Sequence, residues 1–252
     1  MVGLILCSVI LLSCVLFTQK YLRGQCQLPF FGLSASDNAL LVISHPDDEC
    51  LFFAPTILAL LEKKVTVHVV CLSSGNYYGQ GEKRILEFHS SCLKLGLQHS
   101  NVHCLTKFHD GPNRTWSSEE ISEVLLEYLS KSKSKVLLTF DESGISGHPN
   151  HIAVNSAVKF MMKRTLSASF TPFVLETVPI VRKYLQIFDI IPTIIFLNQS
   201  QVVVLSSFAD YFKAVSAMQC HRTQLVWFRW LIVAFSRNML INTWSTVELN
   251  EK

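Results

Sequence analysis

The chain has 252 residues, of which 49% are hydrophobic and 16% charged. That length accommodates one α/β domain with a buried core and a short appendage, and that composition excludes a largely disordered chain. A net charge of +3 with scattered Lys and Arg forms no basic stripe, so nucleic acid is not an expected partner, whereas the apolar balance points toward a membrane.

From Val2 to Thr18 the sequence is apolar and uncharged, about 17 residues, the short end of what spans a bilayer core. Lys20 and Arg23 follow. Positive flanks stay cytoplasmic, so the expectation is an N-terminal transmembrane helix over residues 1–19, a linker over 20–37, and everything after Lys20 in the cytosol. A cleaved signal peptide is the competing reading, because small residues stand at Ser34, Ala35 and Ser36; the absence of a basic segment before the apolar run counts against it. In the cytosol the sequons at Asn113 and Asn198 would stay unmodified. The cysteines form no C-x-x-C pair and no dense framework, which favours reduced thiols and agrees with that compartment.

Ala39 to Ile43 is a continuous apolar run of the kind buried on both faces of a parallel sheet. A helical stretch to Lys64 follows, with Pro55 as a start or a kink, then a second strand from Val65 to Leu72. A polar loop to Gly81, a helix over Glu82 to Leu95 and a short strand over Val102 to Leu105 continue the alternation. Next come a helix from Ser117, with Glu120 completing a capping box, a strand over Val136 to Phe140 and a helix from Pro149 or Asn150. The last third is less regular: strands near Phe173 to Val178 and Val202 to Leu205, helices over Phe208 to Gln219 and from Leu225 onward. Such alternation predicts an α/β fold, a Rossmann-like open, mostly parallel sheet with helices on both faces, whose ligands bind beyond the carboxyl ends of the strands. Two segments, Ile187 to Leu197 and Leu225 to Ile241, are unusually apolar. They pack the core, or they form an interfacial surface in which Trp227, Phe228 and Trp230 beside Arg229 suit the lipid headgroup boundary.

Ser44-His45-Pro46-Asp47-Asp48-Glu49 directly follows the first strand. Its ionisable side chains cannot be buried together without compensation, and a divalent cation compensates them at once. An acidic helix N-cap is the alternative. Gly147-His148-Pro149-Asn150-His151 follows the strand over Val136 to Phe140, at the same sheet edge, and two His three apart at a helix start can face one site. Imidazole and carboxylate together form the ligand set that suits zinc in an open catalytic site. The remaining histidines, His68, His89, His99, His103, His109 and His221, show no such pairing and read as surface or structural residues.

These two motifs resemble those of the LmbE-like zinc deacetylases. Phe52-Phe53-Ala54-Pro55-Thr56, Ser74-Gly75-Asn76-Tyr77-Tyr78, Gly144 to His148 and Cys220 to Leu225 are similar to the eukaryotic branch of that family, and the resemblance runs from about Leu40 to Arg237. It implies that residues 38–252 form an LmbE-like deacetylase domain. It implies Zn2+, or another divalent metal, on His45, Asp48 and His151, with Asp47 as general base and His148 stabilising the oxyanion or protonating the departing amine. It implies a membrane glycolipid substrate, N-acetylglucosaminyl-phosphatidylinositol, deacetylated at the cytoplasmic face of the endoplasmic reticulum as an early step of GPI-anchor synthesis. Bacterial members usually carry Asp where Asn150 stands, which leaves the role of His148 open.

Arg84 matches a family position and would bind the substrate phosphate, or it is a solvated helical Arg near Glu87. Asp141, at a strand end, would orient a site His or bind a sugar hydroxyl. Tyr77 would stack on a sugar or lie on a surface loop, and Glu49 would support the site from behind. A deacetylase of a soluble acetylated sugar and a non-catalytic membrane scaffold are the alternative functions. No sequence feature calls for an obligate protein partner.

Overall fold

The computed structural model describes residues 30–111, 114–164 and 170–247, together with Ser13. The expected transmembrane helix, most of the linker and Asn113 lie outside the described residues. No helix among those described is long and apolar enough to cross a membrane.

Strands β1 (Asn38–Ile43), β2 (Thr66–Cys71), β3 (Val102–Cys104), β4 (Val136–Phe140), β5 (Thr171–Leu175), β6 (Val202–Leu205) and β7 (Ile241–Thr246) form one sheet in the order β3-β2-β1-β4-β5-β7-β6. The first five pair in parallel, and β7 is antiparallel to both β5 and β6. Successive residues of β1 point to opposite faces, and both faces are covered. Ala39, Leu41 and Ile43 join a core with α1 (Asp48–Leu51), α2 (Ala54–Glu62), α3 (Gly81–Leu95) and α6 (Phe208–Met218). Leu40 and Val42 join the opposite core with α4 (Ser118–Ser132) and α5 (Pro149–Arg164). The expected three-layer α/β architecture is what the chain forms.

Local signals act largely as read. Pro55 sits in the first turn of α2, where its missing N–H costs nothing. Ser117 caps α4 by accepting from the Glu120 N–H at 3.4 Å, while the reciprocal two-bond capping box occurs at Ser207 and Asp210 before α6.

The final strand departs from expectation. The helix expected from Leu225 onward is α7 (Trp227–Phe235); it stops at Ser236, whose side chain caps the turn Arg237–Met239, and β7 follows. The Ile-Asn-Thr-Trp sequence hides this strand because its polar residues are buried and paired internally. Asn242 donates to Phe52 O (2.8 Å), Thr56 donates to Asn242, Trp244 Nε1 donates to Thr56 Oγ1 (2.9 Å), and Arg237 donates to Thr243 (3.0 Å). The two apolar segments divide between both readings. Ile187 and Ile190 enter a small core with Leu205, Leu240 and Ile241, and Val233 of α7 is buried. Ile195, Phe196, Trp227, Phe228, Trp230, Leu231 and Phe235 are exposed.

Candidate metal centre and active site

The segment after β1 turns sharply inward. Asp47 adopts φ 111°, a left-handed conformation unusual for a residue with a side chain and worth about 1–3 kcal/mol of strain that the surroundings must offset. They offset it with specific bonds. Asp48 Oδ2 accepts from the Ser44 and His45 N–H groups at 3.1 and 2.8 Å, and Glu49 Oε2 accepts from the Asp47 N–H at 3.0 Å. His45, Asp47, Asp48 and Glu49 are all buried, and no side-chain N-cap bond is formed by Asp47. The N-cap reading of this acidic run therefore does not describe it.

The second motif arrives from β4. At Gly144, with φ 59°, a Cβ would lie 2.8 Å from the Cβ of His151, so only glycine permits this approach. Gly144 O stands 3.0 Å from His151 Nδ1, and the ring stacks on Phe140 at 3.9 Å with an interplanar angle of 7°. A proton held on Nδ1 by that carbonyl leaves Nε2 as the free lone pair, 3.4 Å from Asp48 Oδ1. Nitrogens of His45, His148 and His151 all lie within 4.8 Å of one another. His45 Nε2 is 2.9 Å from the Asn150 amide nitrogen and 3.4 Å from Asp110 Oδ1, and the same amide donates to Asp110 at 3.2 Å. Three imidazoles and a carboxylate thus converge at the ends of β1 and β4, a donor set that fits a borderline-soft divalent ion.

Protonation states follow from these contacts. Burial alone would push the Asp48 carboxyl up, but the His151 and His45 rings and the backbone N–H hold it well below the ordinary range. Asp47 moves the other way: burial raises it, the neighbouring Asp48 charge adds to this, and Arg229 opposes both. Arg229 Nη2 stands 3.0 Å from Asp47 Oδ2. His148 is lowered to about 4, chiefly by burial and then by His45 and His151. Its Nδ1 accepts from the Asn150 N–H at 3.2 Å, so the neutral ring carries its proton on Nε2.

Behind the centre, Glu49 is fully engaged. Its Oε1 accepts from Ser91 and pairs with His221 Nε2, both at 2.5 Å. Glu49, Cys50 and His221 are a second cluster with closely spaced donor atoms, but burial drives the Cys50 thiol well up and the Glu49 oxygens already have partners, so it reads as a support. His221, read from the sequence as a surface or structural residue, is buried and pairs with Glu49 directly behind the site.

The weaker candidates Arg84, Asp141 and Tyr77 have the following surroundings. Arg84 is half-buried and donates to Gly75 O (2.8 Å), Pro46 O (3.0 Å) and Gln224 Oε1 (2.7 Å), tying the loop after β2 to the metal motif. Asp141 accepts from the Thr177 N–H and hydroxyl, each at 2.7 Å, and from the Ser143 N–H, and so bolts two loops together. Tyr77 is 51% exposed and packs edge-on against Tyr78, the surface-loop arrangement. Asp110, Asn150 and Arg229 were missed as neighbours of the centre. Only Asn150 carried a signal, its place inside the second motif.

The sequence profile of the family described as PIG-L: GlcNAc-PI de-N-acetylase matches residues 40–162, which hold both motifs. The chain is 42% identical over 207 residues to the N-acetylglucosaminyl-phosphatidylinositol de-N-acetylase of Bos taurus, covering 81% of each chain. The chain belongs to the PIG-L family. A Dictyostelium discoideum relative, described as a probable de-N-acetylase of the same substrate, is 34% identical and shares 81% of this chain and 91% of its own length. The fold extends to prokaryotes: N,N'-diacetylchitobiose deacetylase of Pyrococcus horikoshii superposes with a TM-score of 0.59 at 16% identity, covering 77% of this chain and 73% of that one. That likeness is one of fold.

Proposed function

We propose that this chain is a metal-dependent amidohydrolase that removes the N-acetyl group from N-acetylglucosaminyl-phosphatidylinositol, giving glucosaminyl-phosphatidylinositol and acetate. The observation that carries this reading is the convergence of His45, Asp48, His148 and His151 beside buried Asp47, in a chain of the PIG-L family. The assignment is made at family level, and neither a soluble sugar deacetylase nor a scaffold is favoured.

His45, Asp48 and His151 would hold the ion, and zinc is the metal their nitrogen and oxygen donors suit best. Bound there, it supplies Lewis-acid activation of the acetamide carbonyl and of the attacking water. Asp47 takes the proton as water adds to the carbonyl; its raised pKa brings it closer to the pH at which a general base works. Neutral His148, with Nε2–H available, donates to the developing oxyanion. The proton on Asp47 then passes to the departing amine, and acetate leaves.

The proposed location is the endoplasmic reticulum membrane, with the catalytic domain facing the cytoplasm. Supporting it are the apolar segment before Lys20 and the exposed aromatics of α7. Glycan on Asn198, which is exposed, would overturn that topology.

The deciding experiment measures bound zinc and acetate release for the wild type, Asp47→Asn and His151→Ala. The expected outcome is that Asp47→Asn keeps its metal but loses activity by a factor of about 10²–10⁴, the usual contribution of a general base. His151→Ala loses both. Full activity in either variant rejects the mechanism.

A further inference from the structure

Helix α7 has two unlike faces. Trp227, Phe228, Trp230, Leu231 and Phe235 are exposed, at 76, 47, 43, 50 and 54% respectively. Arg229 and Val233, four residues apart and hence on one side of the helix, face the protein: Val233 is 3% exposed, and the Arg229 side chain 28%. Tyr211 of α6 donates to Val233 O at 3.1 Å and fastens this helix to the domain. Among the described residues, Arg229 is the cation in ion-pair contact with Asp47. An aromatic surface helix thus reaches the general base of the proposed reaction through one side chain.

We propose that Arg229 is a positioning residue for Asp47, holding the carboxylate in one orientation and tying the base to the helix that carries the exposed aromatic face. The inference rests on the proposed deacetylase reading. Asp47 needs such a partner. Its backbone sits at φ 111° and its N–H is taken by Glu49, while its Oδ2 is buried and accepts no hydrogen bond. The Arg229 guanidinium, 3.0 Å from that oxygen, is its charge partner, at a carboxylate buried enough that the contact is little screened. A base misplaced by about 1 Å loses catalysis without losing substrate affinity.

The test is a cycle of wild type, Arg229→Met, Asp47→Asn and the double variant. Acetate release is assayed with the glycolipid in phosphatidylcholine vesicles and with its water-soluble headgroup lacking diacylglycerol. We expect Arg229→Met to lower kcat by about tenfold or more on both substrates, with KM and bound zinc nearly unchanged. Arg229→Lys should recover most of the loss, and on the Asp47→Asn background Arg229→Met should have no further effect. Arg229→Gln serves as the neutral variant if the methionine variant melts early. Unchanged kcat in the neutral variant, or an equal loss on the Asp47→Asn background, overturns the proposal. A rise in KM alone, marking Arg229 as a substrate contact, overturns it as well. A wild type that releases no acetate from either substrate rejects the deacetylase reading instead, so the two failures are distinguishable.

Discussion

Asp47 joins a strained backbone, a buried carboxylate and a cation drawn from a distant helix. His45, Asp48 and His151 were legible in the sequence because each stands in a short motif in the segment that follows a strand. Arg229 was not, because it lies far along the chain in a segment whose apolar neighbours dominate its local character. His148 supplies a prediction at this scale. Burial and two neighbouring rings depress it to about 4 from an ordinary value of 6.5, so between those values the unfolded chain binds the proton that the folded one refuses. Stability contributed by the neutral ring is therefore complete above pH 6.5 and falls as pH drops toward about 4. In chelator-treated protein, denaturant midpoints should decline over that window more steeply for wild type than for His148→Gln. Parallel pH profiles would contradict the depressed value.

At the level of elements, the second half of the molecule shows how side-chain pairing overrides local pattern. Trp244 of β7 is fully buried, edge-on to Phe31 at 5.7 Å and tilted against Phe53 at 5.8 Å, and its indole N–H reaches Thr56 of α2. The same helix follows the metal motif, so β7 braces the site from behind. Trp244→Ala should destabilise the domain by about 3–5 kcal/mol, the usual cost of truncating a buried large aromatic. Urea unfolding with an unchanged m-value would measure it, and a loss under 1 kcal/mol would show that β7 is not the brace described. A similar lock holds the outer segment. Asp189, wholly buried, accepts from both Arg182 (2.8 Å) and Arg237 (2.5 Å), with Thr193 completing the set. Periodicity could not find either lock, since it reads polar residues as solvent-facing.

Across the whole molecule, exposed apolar side chains gather on particular segments: α7, the helix-rich stretch that includes Ile180, Val181, Ile195 and Phe196, and Phe208 with Phe212 of α6. Large apolar patches mark contact with a protein or a lipid, and under the proposed function the occupant is lipid. The tryptophans allow a direct check. Of the four in the chain, Trp116 and Trp244 are 9% and 0% exposed, whereas Trp227 and Trp230 lie open on α7. With vesicles carrying brominated acyl chains, fluorescence should be quenched in the wild type and much less in Trp227→Ala/Trp230→Ala. Equal quenching in the two would place the lipid contact elsewhere.

The sequence by itself determined the alternation of strand and helix, the three-layer α/β class and the two motifs that bring His and Asp to one sheet edge. Those are local properties, written in continuous apolar runs and in residues a few positions apart. Only the tertiary structure decided the last strand, the internal use of Arg84 and Asp141, and the neighbours of the centre, Asp110, Asn150 and Arg229. Each of these depends on which polar groups meet after burial, and that pairing joins residues up to 190 positions apart, as between Phe52 and Asn242. A buried donor takes whichever acceptor the packed chain presents, and no local spacing records the choice.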